Sequence, residues 1–173
     1  MTRLSVIGAG AILVISLAIV GCGGSSSSPD PAAYDVEPFN GWPQITNEEK
    51  VGGYVENAWH DPESPIFAVD SRPAEETGSP MANADLALVQ TRELPGYKER
   101  WLKKVKLAGR PTIEWAFDTA DERSGIDFFF EECGVSFVTR GTMGQIAFAA
   151  LSQSMREMTR TVKVKGCDEY PAP

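Results

Sequence analysis

The sequence predicts an α+β fold, a single domain in which an antiparallel β-sheet is covered by two or more helices. Three observations carry that expectation. Residues 97–139 alternate apolar with polar side chains in four consecutive stretches, the period of strands joined as hairpins. Two segments, Pro80 to about Arg92 and Phe148 to Met158, switch to helical spacing. Strands and helices do not alternate regularly along the chain, which favours an antiparallel sheet over a parallel α/β one.

The first residues belong to none of these elements. Arg3 supplies a positive start, and Leu4 to Val20 is an apolar run of 17 residues interrupted by Ser5, Gly8, Gly10 and Ser16, the layout of a secretory leader. A membrane span is the alternative, and the run is at the short limit for one. Its end decides: Ile19-Val20-Gly21-Cys22 looks like a lipobox, so residues 1–21 read as a signal peptide and Cys22 as the lipidated start of the mature chain. The Gly8-Ala9-Gly10 stretch lacks the preceding strand and third glycine of a dinucleotide-binding loop. Residues 22–38 read as the lipidated cysteine and a tether, because Gly23 to Ala33 is Gly, Ser, Pro, Asp and Ala, a composition that buries too little apolar surface to order itself. Such a tether spans roughly 15–20 Å. The expected place is therefore a bacterial membrane or envelope, lipid-anchored and facing outside the cytoplasm.

Composition bounds the rest. The chain has 173 residues, 42% of them hydrophobic and 23% charged, with a net charge of −8. Without the leader, whose one charge is Arg3, the remainder is one unit more negative. That balance opposes nucleic acid as a partner. Residues 39–167 are expected to form the domain and residues 168–173 a disordered tail. The domain should open with a packed turn at Phe39-Asn40-Gly41-Trp42-Pro43, followed by strands over 53–59 and 65–70 with a turn at 60–64.

Ser79 is a candidate N-cap with Pro80 at the first helical position, and Met81, Leu86 and Val89 are expected to share the inner face. Beyond Pro95-Gly96, a strand to Leu107 turns at Ala108-Gly109-Arg110-Pro111 into a strand carrying Ile113, Trp115 and Phe117. A second hairpin places Ile126, Phe128 and Phe130 opposite Val135, Phe137 and Thr139, turning at Glu131-Glu132-Cys133-Gly134. The simplest joining of the four strands is a meander. The last helix has a candidate capping box, Thr142 with Gln145, and an apolar face of Phe148, Leu151, Met155 and Met158. Thr161 to Lys165 should then be extended.

With Cys22 taken by lipid, Cys133 and Cys167 remain, an even number in an exported domain. The expectation is a disulfide between them; the alternative is two free buried thiols. Catalytic patterns are sparse. His60 is the sole histidine, and beside Asp61 and Pro62 it reads as a solvated turn residue. Gly-x-Ser-x-Gly is absent. Asp118, Asp121, Glu122 and Asp127 could supply oxygen ligands to Ca²⁺, but their spacing is not that of an EF-hand; neither metal nor cofactor is expected. Glu131 and Glu132, as strand neighbours, face opposite sides. Lys98, Arg100, Lys104 and Lys106 stand out against an acidic chain and would fall on one strand face with Leu102. Two readings are open: a cationic strip that meets an acidic partner or headgroups, or lysines guarding a sheet edge. Four tryptophans and eight phenylalanines are mostly core, with enough surplus to line an apolar groove.

The stretch from Leu94 to Val162 then resembles a known family. A Lys-rich strand runs into Leu107-Ala108-Gly109-Arg110-Pro111. Ile113-Glu114-Trp115-Ala116-Phe117, Phe128-Phe129-Phe130 and Phe137-Val138-Thr139 follow, then a helix reading Phe148, Leu151 and Met155. This order is similar to PsbP-like domains, a superfamily that includes many exported bacterial lipoproteins, and the likeness extends over residues 39–163. It implies an antiparallel sheet sandwiched by helices and non-catalytic work as an adaptor or assembly factor. Two departures stand: Thr161-Val162 and a cysteine-bearing tail replace the family's Ser-Phe pair, and the metal positions of photosynthetic members have no counterparts. The expected function is a membrane-anchored accessory module that binds an envelope protein or an apolar ligand. The rival is an envelope hydrolase using a carboxylate or Ser-Lys site.

Overall fold

The computed structural model describes residues 33–50, 54–60 and 66–167, with the backbone alone for 40, 45–50 and 54–60. In chain order these form β1 (Tyr34–Asp35), a 3₁₀ turn at Phe39–Gly41, β2 (Gln44–Lys50), β3 (Tyr54–His60), β4 (Ile66–Pro73), α1 (Ala74–Thr77) and α2 (Pro80–Thr91). Then come β5 (Lys98–Leu107), β6 (Arg110–Thr119), β7 (Arg123–Glu132), β8 (Val135–Gly144), a 3₁₀ turn at Gln145–Ala147, α3 (Phe148–Thr161) and β9 (Lys163–Val164). The leader, Cys22, most of the tether, the turn at 61–64 and the tail from residue 168 lie outside the described residues.

Seven strands make one sheet in the order β2-β3-β4-β8-β7-β6-β5, every neighbouring pair antiparallel. The expected meander is its C-terminal half, β5 to β8. Two of its turns are tighter than the sequence suggests. Ala108 and Gly109 (φ 48° and 87°), and Cys133 and Gly134 (φ 51° and 75°), are the only residues between their strands. Positive φ at both central positions is the type I′ turn whose twist matches a hairpin. Arg110 and Pro111, expected in the turn, therefore start β6. β2 was not expected, and β8 also pairs with β4, from Ile66↔Thr142 to Pro73↔Val135.

Both sheet faces are covered. On one, Ala84 and Leu88 of α2 pack on Ile113, Trp115, Phe117 and Phe129. On the other, Phe148, Met155 and Met158 of α3 pack on Ala116, Ile126, Phe128, Phe130 and Phe137. This corrects the expected inner face of α2: Met81, Leu86 and Val89 are exposed. Alanine packs closest to a sheet already filled by Trp115 and Phe129, so the small residues turn inward. The N-cap is as expected, the Ser79 hydroxyl accepting from the Ala82 N–H at 3.2 Å. The capping box on α3 is not formed. Thr142 stays in β8, bonded into the sheet on both sides, and the Gln145 amide instead donates to the carbonyls of Thr119 and Arg123 (both 3.4 Å). Where α3 crosses β8, Gly141 is obligatory: a Cβ there would lie 2.6 Å from the Met155 side chain.

The folded part begins earlier than Phe39. Tyr34 is buried edge-on against Phe137, and β1 pairs with β9, which ties both ends of the domain onto the α3 face. Cys133 and Cys167 are disulfide-bonded with Cα atoms 5.7 Å apart, fixing the C-terminal ribbon to the β7–β8 turn. A separation of 34 residues corresponds to about 4 kcal/mol in the chain-entropy account.

Burial on both faces means that polar residues of β6 are buried too, contrary to the simple apolar-in, polar-out alternation. Arg110 lies over the Phe130 ring (4.4 Å), pairs with Glu132 (3.2 Å), and donates to the carbonyls of Thr159 (2.9 Å) and Val162 (2.6 Å). It thereby supplies cationic donors to the C-terminal end of α3, where carbonyls lack helical partners. Glu114 is fully buried and accepts from Trp101 Nε1 (2.9 Å), Arg156 Nη2 (2.7 Å) and Lys103 Nζ (3.1 Å). Burial pushes its pKa up, but the hydrogen bonds and charges of Arg156 and Lys103 outweigh that and hold it below the ordinary glutamate value of 4.5.

Because the folded-state pKa is the lower one, the stability Glu114 contributes is present above the unfolded value and is lost as pH falls through the folded one. Glu114→Gln should cost about 2–3 kcal/mol at pH 7. In urea unfolding between pH 7 and 3, its gap from the wild type should narrow below pH 4.5. A gap independent of pH would contradict this role.

Candidate functional site

The side of the sheet under α2 carries a seam. α2 packs on the sheet through Ala84, Ala87 and Leu88 and bonds to it through Asn83, and troughs remain on its flank. Two cavities of about 310 and 290 Å³ open along it, and Ala87, Gln90 and Arg140 line both. The first is completed by Asn83, Leu86, Phe129 and Val138 among others, the second by Leu94, Phe117, Arg123 and Thr142. The lining is mixed: Phe129, Val138 and Phe117 are apolar, whereas Asp70, Arg72 and Ser136 of the first cavity and Thr119 and Ser124 of the second are polar. The exposed rim residues Leu86 and Leu94 extend the apolar character outward.

Arg140 sits at the junction. It projects from β8 opposite Asp127 of β7, in register across the strands, and grips that buried carboxylate through Nε (3.0 and 3.2 Å) and Nη2 (2.9 Å). Its side chain is half exposed while that of Asp127 is fully buried, so the guanidinium is held from below where it lines both cavities. A bidentate pair fixes the plane of an arginine. The Asn83 amide is likewise oriented, donating to the Ser136 hydroxyl at 3.0 Å.

The residues singled out in the sequence distribute differently. The basic run lies on β5, the outermost strand of the sheet on that side. It does not form one strip. A bulge between Glu99 and Trp101 leaves Arg100 without an opposite residue, and an extra residue shifts the alternation by one. Lys104 and Lys106 consequently share the α2 face with Leu102, whereas Lys98 and Arg100 lie on the α3 face. There Arg100 pairs with Asp118 (2.8 Å) and covers the Phe148 ring (4.3 Å). Asp118 also accepts from Ser124 (2.6 Å); partial burial raises its pKa, and these two donors and the nearby Lys98 more than reverse that.

The acidic cluster considered for Ca²⁺ is split. Asp118 and Asp127 are on opposite faces with separate arginines, and Asp121 and Glu122 are in the β6–β7 loop at positive φ. Among the described residues no group of acidic, histidine or cysteine side chains is placed to hold a metal. Glu131 is exposed and Glu132 pairs with Arg110, on opposite sides as expected. His60 closes β3. The sequence reading weighed Asp127 only as a Ca²⁺ ligand and missed its pairing with Arg140, 13 residues away. The available signal was two charges at mirrored places in apolar hairpin strands.

No protein-family profile and no curated protein sequence matches the chain. Solved structures do. The cyanobacterial PsbP (CyanoP) of Synechocystis sp. PCC 6803 superposes with a TM-score of 0.56 at 11% identity, covering 84% of this chain and 98% of its own. LpqN of Mycobacterium tuberculosis, described as involved in cell envelope biogenesis, gives 0.53 at 13% identity over 76% and 82%. A Pseudomonas aeruginosa protein of unknown function, PA94, gives 0.50 at 13% identity over 81% and 98%. At these identities the likeness is one of architecture, and the expected architecture is the one found: the domain has the PsbP-like fold.

Proposed function

We propose that the protein is an extracytoplasmic accessory lipoprotein, anchored through Cys22, whose domain binds without catalysis. The observation that carries the binding role is the seam under α2, two cavities that share Ala87, Gln90 and Arg140 and each include an aromatic side chain, Phe129 or Phe117, in a mixed lining. Its chemistry fits an amphipathic ligand, an apolar part along Phe129, Val138 and Phe117 and a polar part along Asn83, Gln90 and Thr119. A non-catalytic role is supported by the state of the buried and half-buried carboxylates: Glu114 and Asp118 are held ionised by several donors each, the reverse of the raised pKa a general acid needs. The lipobox motif supports the anchor, and the description of LpqN supports an envelope setting.

Two measurements test the reading. In membranes of an expressing bacterium, the wild-type product should partition with the membrane and carry acyl chains on Cys22 by intact mass, while Cys22→Ala should not; an unmodified thiol in the native product would refute the anchor. With a soluble form starting at Gly23, a dansylated undecanoic acid should bind saturably. Gln90→Trp, which puts bulk where both cavities meet, should weaken binding by about tenfold or more, and Gln90→Ala should not. Equal binding by both variants, or turnover of an ester form of the probe, would contradict a non-catalytic seam.

A further inference from the structure

β5 is hydrogen-bonded to β6 on one side only, and among the described residues nothing pairs with its other side. Which backbone groups face outward follows from the turn. A two-residue type I′ loop is closed by a hydrogen-bonded pair, here Leu107 with Arg110. Counting back, Val105 and Lys103 point their N–H and C=O at β6, while Lys106, Lys104 and Leu102 point theirs into the open. Past Leu102 the bulge breaks this order, so the open ladder is one regular stretch ending at the Ala108–Gly109 turn.

The side chains along the ladder have one dominant sign. Five of the chain's 16 Lys and Arg fall between Lys98 and Lys106, against one acid, Glu99, in a chain of net charge −8. Arg100 and Lys103 are engaged by Asp118 and Glu114. Lys104 and Lys106 are exposed and make no ion pair among the described residues. The charge also lies on both faces of the sheet, Lys104 and Lys106 on one, Lys98 and Lys103 on the other. A flat anionic surface can touch only one of these. An added strand displays its side chains alternately to both.

We infer that β5 receives an acidic, extended segment of a partner protein as an eighth strand. Main-chain bonds to Leu102, Lys104 and Lys106 give the attachment, and lysines on both faces select acidic side chains. A second copy of this chain is a poor occupant, since β5 against β5 sets lysine opposite lysine. The lysines that discourage such pairing become the attraction for a segment of opposite charge. This surface is distinct from the seam and does not depend on a ligand there.

The test uses the full chain in neutral detergent micelles and a fluorescent ten-residue peptide of glutamate, valine and threonine, with glutamates on both alternations. Anisotropy should report saturable binding. The same composition with prolines at alternate positions, unable to donate its bonds, should bind at least about tenfold more weakly. Lys104→Thr removes one charge; Lys104→Pro removes the charge and the outward N–H, a change an edge strand tolerates. Proline should therefore weaken binding beyond threonine by about threefold or more, with unchanged circular dichroism. Absence of peptide binding would overturn the proposal. So would equal affinity for the proline-bearing peptide, equal effects of the two variants, or displacement of the peptide by phosphatidylglycerol doped into the micelles at matched charge.

Discussion

The structure depends on one constraint: the central strands β6 and β7 are buried on both faces. From Thr112 to Phe117 and from Ser124 to Phe130 every residue is buried, so hydrophobic burial is gained twice per strand, at about 1.5–3 kcal/mol for each fully enclosed large apolar side chain. The same enclosure makes polar groups on these strands costly unless each is fully paired. The chain resolves this with arginines that approach from outside. Arg156 reaches Glu114 from α3, Arg140 reaches Asp127 from β8, and Arg110 turns from the start of β6 to the end of α3. Each pairing sets the position of a neighbouring element as well as neutralising a charge.

Two surface features follow from how the covers are made. α3 covers its face with large side chains and is reinforced by the β1–β9 ribbon and the disulfide. α2 covers the other with alanines and one leucine, and the space it leaves is the seam around Arg140. Among the described residues nothing pairs with β5 beyond β6, so the outermost strand keeps one side of its backbone unpaired there. A packed face, a seam and an open edge are thus consequences of side-chain size on two helices.

The meander was legible because its signals are local: period-two alternation of large apolar residues and glycines at the second turn position. The Cys133–Cys167 pair was legible from cysteine count and compartment. Other features turned on longer-range choices. β2 reads Gln44-Ile45-Thr46-Asn47-Glu48-Glu49-Lys50 with no alternation, and its place is given by pairing with β3. The inner face of α2 was misassigned because Leu86 and Val89 satisfy helical spacing as well as Ala84 and Leu88 do; the decision lies in the shape of the sheet below. The single bulge at Arg100 divided a basic strip that strict alternation kept whole. Glu114 falls at a polar position of the alternation and Asp127 was weighed only for Ca²⁺, since a sequence shows that one strand face is apolar but not that both are covered.

Amide hydrogen exchange of the oxidised protein tests the two-sided enclosure most directly. Amides of β6 and β7 should exchange only through global unfolding, at the free energy measured by denaturant. In β5 the inward N–H groups of Lys103 and Val105 should be protected and the outward ones of Leu102, Lys104 and Lys106 should exchange orders of magnitude faster. Exchange of β6 and β7 amides through local opening, at rates near those outward groups, would contradict a sheet whose centre is sealed on both sides and whose edge alone is open.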